Sequence, residues 1–182
     1  MSGGRSATDF IGFLACDKPL GWSSAQTVAH ARRCYGGVKL GHGGTLDPSA
    51  TGLLPLALGR ATRLLSYVLG QRKSYRARVR LGVSTTTADA EGEPLHRFDF
   101  SLPNPEQLGR LFARFIGEQY QVPPMHSALH HGGRRLYEYA RRGLSVRRKP
   151  RRITIYALRL TDIHNDGQTH PCLLYTSDAA DE

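Results

Sequence analysis

Apolar and polar positions along the first forty residues predict a strand followed by a helix. Residues 10–16 (FIGFLAC) form an apolar run typical of a short strand, and residues 17–21 (DKPLG) should break it. Residues 23–26 (SSAQ) have the pattern of a capping box, which predicts the start of a helix. That helix should run to about Tyr35 and end at the glycine pair that begins with Gly36.

Later segments mix strand and helix periods. Residues 73–81 alternate strictly, so Tyr75 should lie on one face of a strand and Arg76 on the other. Strands and helices follow each other without a βαβ rhythm, which indicates the α+β class. The other predicted elements are a buried strand at 52–58, helices at 61–69, 105–116 and 135–142, a strand from residue 153, and a turn at 165–167.

The charge of the chain favours a polyanionic partner. The 182 residues contain 25 Lys and Arg against 15 Asp and Glu, giving a formal net charge of +10. Only Lys18, Lys39, Lys73 and Lys149 are lysines, so 21 of these cations are arginines. Arginine binds phosphate with two parallel hydrogen bonds and stacks on bases, which suits a nucleic acid. A GC-rich genome would also enrich arginine, so charge alone leaves the partner open.

Other classes find no support in the composition. No apolar run approaches the roughly 20 residues that span a bilayer, and residues 1–9 lack the apolar segment of a signal peptide, so we expect a disordered lead-in there. The three cysteines form no CxxC pair and no metal-ligand spacing. These features predict a cytoplasmic protein without structural disulfides, without a metal and without membrane contact.

One glycine-rich loop presents a single carboxylate. Residues 41–52 (GHGGTLDPSATG) contain three closely spaced glycines, then Asp47 followed by Pro48. The loop is open to three interpretations: a structural turn capped by Asp47, a metal loop, or the site of a nucleophile or general acid/base. A metal loop is disfavoured because no second carboxylate lies nearby. The pattern of a phosphate-binding P-loop is absent.

The residues around this loop resemble a known family. Residues 41–64 (GHGGTLDPSATGLLPLALGRATRL) are similar to the signature of the TruB family of pseudouridine synthases. Further motifs in the family's order and spacing lie at 12–24, 73–82, 87–92 and 123–141. The resemblance implies an α+β fold with a mixed, largely antiparallel sheet and flanking helices. It also implies a bacterial stand-alone enzyme that isomerises uridine to pseudouridine at position 55, in the T loop of tRNA, without a cofactor.

The resemblance also implies roles for individual residues. Asp47 matches the catalytic aspartate, and Tyr75 matches the active-site tyrosine, although the alternation alone would suit an ordinary strand aromatic. His42 matches a histidine beside the flipped-out nucleotides. The other substrate-binding candidates are Gly43, Gly44, Thr45, Leu46, Arg60, Arg141 and Arg142.

The expected partner is the T-arm stem-loop of tRNA, bound by a monomer. DNA binding has only the charge in its favour, because no helix-turn-helix or zinc pattern supports it. The alternative to an enzyme is a catalytically inactive, basic RNA-binding or RNA-folding fragment.

The C-terminal segment departs from the family pattern. A motif similar to KGTYIR, whose arginine pairs with the catalytic aspartate, should follow the turn at 165–167, yet the last arginine here is Arg159. Residues 172–182 resemble the translation of a sequencing adapter. We therefore expect an incomplete TruB-type catalytic domain over 10–171, a non-native tail over 172–182, and an unpaired sheet edge where the arginine-bearing strand belongs.

Overall fold

The computed structural model describes residues 10–99, 101, 103–125, 127, 129–164 and 170–177. They form two compact units, of which the first ends at Gln71 and the second begins at Arg72. Both units combine antiparallel strands with short helices, which confirms the α+β class. The domain boundaries expected at residues 9, 171 and 172 stay predictions.

The first unit is built on a three-stranded antiparallel sheet, in which β3 (Gly52–Leu58) lies between β1 (Gly12–Lys18) and β2 (Leu40–His42). Its β3 has the bounds that the sequence predicts, whereas β1 continues through Asp17 and Lys18, which pair with Leu53 and Gly52. The break expected from residue 17 was therefore placed two residues too early. Its elements are β1 (Gly12–Lys18), α1 (Ser24–Cys34), β2 (Leu40–His42), β3 (Gly52–Leu58), a 3₁₀ helix (Gly59–Leu64) and α2 (Leu65–Leu69).

Helix α1 begins and ends where its sequence signals predict. The side chain of Ser23 accepts from the amide of Gln26, and the side chain of Gln26 accepts from the amide of Ser23 at 2.8 Å, which completes the capping box. The helix ends at Cys34, and Gly36 and Gly37 adopt φ of 65° and 82°. Glycine takes this left-handed conformation at little cost, so the pair stops the helix.

The core of the first unit lies between α1 and one face of the sheet. Ala31 of α1 packs against Leu54 and Leu56 of β3, which are 1% and 0% exposed. Removing a leucine side chain from water contributes about 1.5–3 kcal/mol. Leu46, from the glycine-rich loop, packs against the edge of this cluster. Packing against the core therefore holds the loop at Leu46.

The second unit contains a four-stranded antiparallel sheet in the order β4-β11-β10-β7 and two small hairpins, β5-β6 and β8-β9. Its elements are β4 (Lys73–Arg78), β5 (Val83–Thr85), β6 (Pro94–Arg97), α3 (Pro105–Ala113), β7 (Gly117–Gln121), β8 (His130–His131), β9 (Arg134–Arg135), α4 (Leu136–Ala140), β10 (Arg151–His164) and β11 (His170–Ser177).

The alternation predicted for β4 is confirmed. Tyr75 and Ala77 are half-buried, while Arg76 and Arg78 are exposed, although the strand ends at residue 78 rather than 81. Helix α3 also ends earlier than expected, at Ala113, so the predicted apolar stripe is cut short after the buried pair Leu108 and Phe112. Asn104, the residue before α3, caps the first turn of the helix by accepting from the amide of Gln107 at 2.8 Å.

The expectation of an unpaired sheet edge is wrong for this structure. The backbone of residues 170–177 pairs with β4 on one side and with β10 on the other. A strand therefore fills the position next to β4, because main-chain hydrogen bonds form with any sequence that can extend. The turn predicted at 165–167 lies outside the described residues.

Candidate active site

The glycine-rich loop connects β2 to β3 in the first unit and carries Asp47 at an exposed turn. The amide of Ala50 donates to the carbonyl oxygen of Asp47 at 3.0 Å, which closes this turn. At the start of the loop, the amide of Gly43 donates to the carbonyl oxygen of Pro55 at 2.7 Å. The sequence assigned Gly41 and His42 to the loop as well, but both pair with β3 and belong to β2.

The residue before Asp47 is held by the N-terminus of α1. The hydroxyl of Ser24 donates to the carbonyl oxygen of Leu46 at 3.1 Å and accepts from the amide of Leu46 at 2.9 Å. Ser24 is the first residue of the helix, and its side chain is buried. The loop is thus attached to a rigid element immediately upstream of the carboxylate.

The residue after Asp47 is held by the turn that follows β1. The amide of Gly21 donates to the carbonyl oxygen of Pro48 at 2.8 Å. The ammonium of Lys18, which is fully buried, reaches the same oxygen at 3.5 Å and donates to the carbonyl oxygens of Pro19 at 3.0 Å and Trp22 at 2.6 Å. An ammonium has three donors, and each has a carbonyl acceptor here. Asp47 therefore lies between two anchored residues.

The early part of the loop depends on its glycines. A Cβ on Gly43 would lie 2.8 Å from Cγ1 and 3.3 Å from Cβ of Val68 in α2, so this position admits no side chain. Gly44 has φ of 147°, which other residues rarely adopt. His42 is half-buried and hydrogen-bonds through Nδ1 to the carbonyl oxygen of Gly44. Since a carbonyl oxygen only accepts, Nδ1 donates, which directs Nε2 away from this contact.

Two other candidates in the first unit are exposed. Thr45 lies between Gly44 and Leu46, with its side chain open to solvent. Arg60 lies in the 3₁₀ helix that packs beside β2 and β3. An exposed guanidinium on this helix can reach phosphate without disturbing the core.

The remaining candidates belong to the second unit. Tyr75 is half-buried on β4, opposite Tyr175 in the backbone register. Arg141 follows α4 and lies over the ring of Tyr137, with its guanidinium carbon 5.3 Å from the ring centroid, and Arg142 is exposed. Their placement at one site with Asp47 stays a prediction, because the structure describes each unit by itself.

Two other classes of site are absent from the described part of the chain. No group of three or more His, Cys, Asp or Glu side chains is arranged to hold a metal ion among these residues. None of the helices within the described ranges is long and apolar enough to cross a bilayer.

A family model decides the relationship that these motifs suggested. The model for the TruB family pseudouridylate synthase (N terminal domain) matches residues 32–175. This chain belongs to the TruB family. The matched range contains the glycine-rich loop with Asp47, strand β4 with Tyr75, and Arg141 and Arg142.

Curated TruB relatives match most of this chain. "tRNA pseudouridine synthase B" of Ralstonia pickettii is 54% identical over 150 residues, which cover 82% of this chain and 47% of that protein. The protein of the same name from Nitrosococcus oceani is 44% identical over 158 residues, covering 87% of this chain and 51% of that protein. The chain therefore spans about half the length of the curated relatives it matches.

Solved structures of more distant proteins share the fold. A Cbf5-Nop10-Gar1 complex contains a chain that superposes with a TM-score of 0.65 at 25% identity, covering 92% of this chain and 39% of that one. A structure of an H/ACA RNP bound to a substrate RNA containing 2'-deoxyuridine gives a TM-score of 0.61 at 23% identity. The α+β architecture of this chain is therefore shared with these solved structures.

Sequence reasoning did not assign the anchoring residues of the loop. It interpreted residues 17–21 as a break and Ser24 as part of a helix cap, although the family motif over 12–24 contains both. That motif was the available signal for the anchoring residues. It precedes the loop by some twenty residues and carries no catalytic group of its own, so a structural contact with the loop was the remaining interpretation. Only the folded chain reveals that Lys18, Gly21 and Ser24 contact the residues beside Asp47.

Proposed function

We propose that the protein to which this chain belongs isomerises uridine to pseudouridine at position 55, in the T loop of tRNA. The reaction breaks the C1′–N1 bond, turns the uracil, and joins C5 to C1′; C5 loses a proton and N1 gains one. Nothing is oxidised, so no cofactor is needed. Family membership supports the activity, and the relatives named tRNA pseudouridine synthase B support tRNA as the substrate.

The observation that carries this proposal is the placement of Asp47. Its carboxylate lies at an exposed turn, and both neighbouring residues are hydrogen-bonded to the scaffold. A carboxylate held in this way suits attack on C1′, or stabilisation of positive charge that develops there. An aspartate with only a structural role could also cap a turn. Such a role would not require both neighbouring residues to be hydrogen-bonded to the scaffold.

Other residues complete the proposed site. Tyr75 would stack on the uracil and relay the C5 proton through its hydroxyl. His42 and the backbone of Gly43, Gly44, Thr45 and Leu46 would contact the extruded nucleotide, because C1′ and C5 are inaccessible inside a folded RNA loop. Cationic contacts to phosphate would come from Arg60, Arg141 and Arg142.

A direct assay tests the proposal. The protein to which this chain belongs and the purified 182-residue chain are each incubated with a T-arm stem-loop that carries tritium at C5 of the target uridine, and tritium release is followed. Release by the whole protein from this RNA, with none from the same RNA bearing the label at another uridine, is the expected result. Stoichiometric binding without release would make the chain an inactive RNA-binding fragment, and neither binding nor release would contradict both functions.

One observation favours an inactive RNA-binding fragment for the isolated chain. It spans about half the length of its curated relatives, and no arginine or lysine follows Arg159. The net charge of +10 suits RNA binding whether or not turnover follows, so it is consistent with such a fragment. We propose further that the protein is cytoplasmic and monomeric. Sedimentation at micromolar concentration would test the monomeric state.

A further inference from the structure

The buried hydroxyl of Ser24 makes two hydrogen bonds to a single residue of the glycine-rich loop. It accepts from the amide of Leu46 at 2.9 Å and donates to the carbonyl oxygen of Leu46 at 3.1 Å. Ser24 is 3% exposed, so water has little access to replace either bond. The hydroxyl has one donor, and that donor is committed to Leu46.

This arrangement imitates an adjacent β-strand. In a hydrogen-bonded pair of an antiparallel ladder, the N–H and C=O of one residue face the same neighbour. Leu46 lies beyond the end of β2, and the serine hydroxyl takes the place of that neighbour. The side chain of Leu46 also packs against the core cluster formed with Leu54 and Leu56. The peptide that enters Asp47 is therefore fixed through both backbone and side chain.

We infer that Ser24 is a positioning residue for Asp47: it fixes the backbone immediately before Asp47 and so keeps the carboxylate in the position required for reaction. The inference rests on the proposed function of Asp47. The contacts of Lys18 and Gly21 to Pro48 restrain only the backbone after Asp47, so a second attachment is required to fix the backbone before it. A reacting group that shifts by 1 Å can lose about 10²-fold in rate.

The neighbouring serine provides a matched control. Ser23 caps α1 through the amide of Gln26 at 3.2 Å and makes no hydrogen bond to the loop among the described contacts. Ser23→Ala and Ser24→Ala remove the same oxygen atom from adjacent positions. Only the second change detaches Leu46, so any effect common to both variants reports on the helix rather than on the loop.

Amide hydrogen exchange tests the attachment without requiring activity. In Ser24→Ala the amide of Leu46 should exchange about tenfold faster or more than in the wild-type chain, because its acceptor is gone. In Ser23→Ala the amide of Gln26 should exchange faster and that of Leu46 should not change. Wild-type exchange at Leu46 in folded Ser24→Ala would overturn the inference.

Turnover separates positioning from structure. With a tritiated T-arm stem-loop, Ser24→Ala should lower kcat by about 10–100-fold at nearly constant KM, while Ser23→Ala keeps kcat. Ser24→Thr, which retains the hydroxyl, should recover much of the loss. Equal kcat in Ser24→Ala and wild type would overturn the inference. If the wild-type chain shows no turnover, the proposed function fails for this chain, and the exchange rate of Leu46 still decides the role of Ser24.

Discussion

The amide of Gly21 donates to the carbonyl oxygen of Pro48 at 2.8 Å, which joins the turn after β1 to the residue that follows Asp47. The two residues lie in different segments of the sequence, so the contact exists only in the folded chain. Together with the bonds between Ser24 and Leu46, it restrains the candidate carboxylate on both sides. Loosening either attachment should therefore disturb the position of Asp47.

Replacing Asp47 should abolish pseudouridine formation and leave RNA binding largely intact. Asp47→Asn removes the negative charge with little change in shape, so neither attack on C1′ nor stabilisation of positive charge there is available, while the proposed phosphate contacts elsewhere remain. Tritium release and filter binding with a T-arm stem-loop measure the two properties. Asp99→Asn, the same change at an exposed position of the second unit, is the control. Near-normal turnover of Asp47→Asn would show that the nucleophile is misassigned.

Removing the buried ammonium of Lys18 should destabilise the first unit. Lys18→Met keeps the apolar stem but leaves the carbonyl oxygens of Pro19, Trp22 and Pro48 without this donor. The carbonyl oxygens of Pro19 and Pro48 keep the amides of Trp22 and Gly21 as donors, whereas that of Trp22 loses its 2.6 Å bond. Hydrogen bonds to charged groups contribute about 1.5–3 kcal/mol, and we expect a loss of that size in the free energy of unfolding, measured in urea. Lys39→Met, at an exposed position, should change it little. An equal effect of both variants would contradict the role given to Lys18.

Adding a methyl group should have opposite effects at two glycines. Gly43→Ala would place a Cβ 2.8 Å from Val68, whose branched side chain cannot easily move away, so the loop must shift and stability should fall. Gly109 lies inside α3 with nothing within 4 Å of an added Cβ. Gly109→Ala should stabilise by roughly 0.5–1 kcal/mol. Thermal unfolding of both variants measures the contrast, and a neutral Gly43→Ala would show that α2 yields.

Phosphate binding by arginine should make the affinity for RNA depend steeply on salt. Arg141→Gln with Arg142→Gln should weaken binding and flatten the plot of log K against log salt by about one unit for each phosphate that is no longer bound. Arg114→Gln, an exposed change after α3, serves as the control, with no expected change in slope. If the double variant keeps the wild-type slope, these two arginines do not touch phosphate.

Local signals made several elements readable from the sequence. The capping box at Ser23, the glycines after α1 and the alternation around Tyr75 each act within a few residues, so the pattern predicts the element. Element ends were less predictable. Strand β1 continues through Lys18 because β3 supplies partners for it, and α3 stops before Phe115 in spite of the apolar spacing.

The sequence by itself determined the class of the fold, the family and the identity of Asp47 as the candidate carboxylate, because these depend on residue types in a fixed order. Tertiary structure alone decided how that carboxylate is held. The hydrogen bonds from Ser24 to Leu46 and from Gly21 and Lys18 to Pro48 join segments that are distant in the sequence, and their acceptors include backbone carbonyls that every residue carries. Backbone acceptors leave no mark in a sequence, so only the folded chain selects which of them a side chain meets.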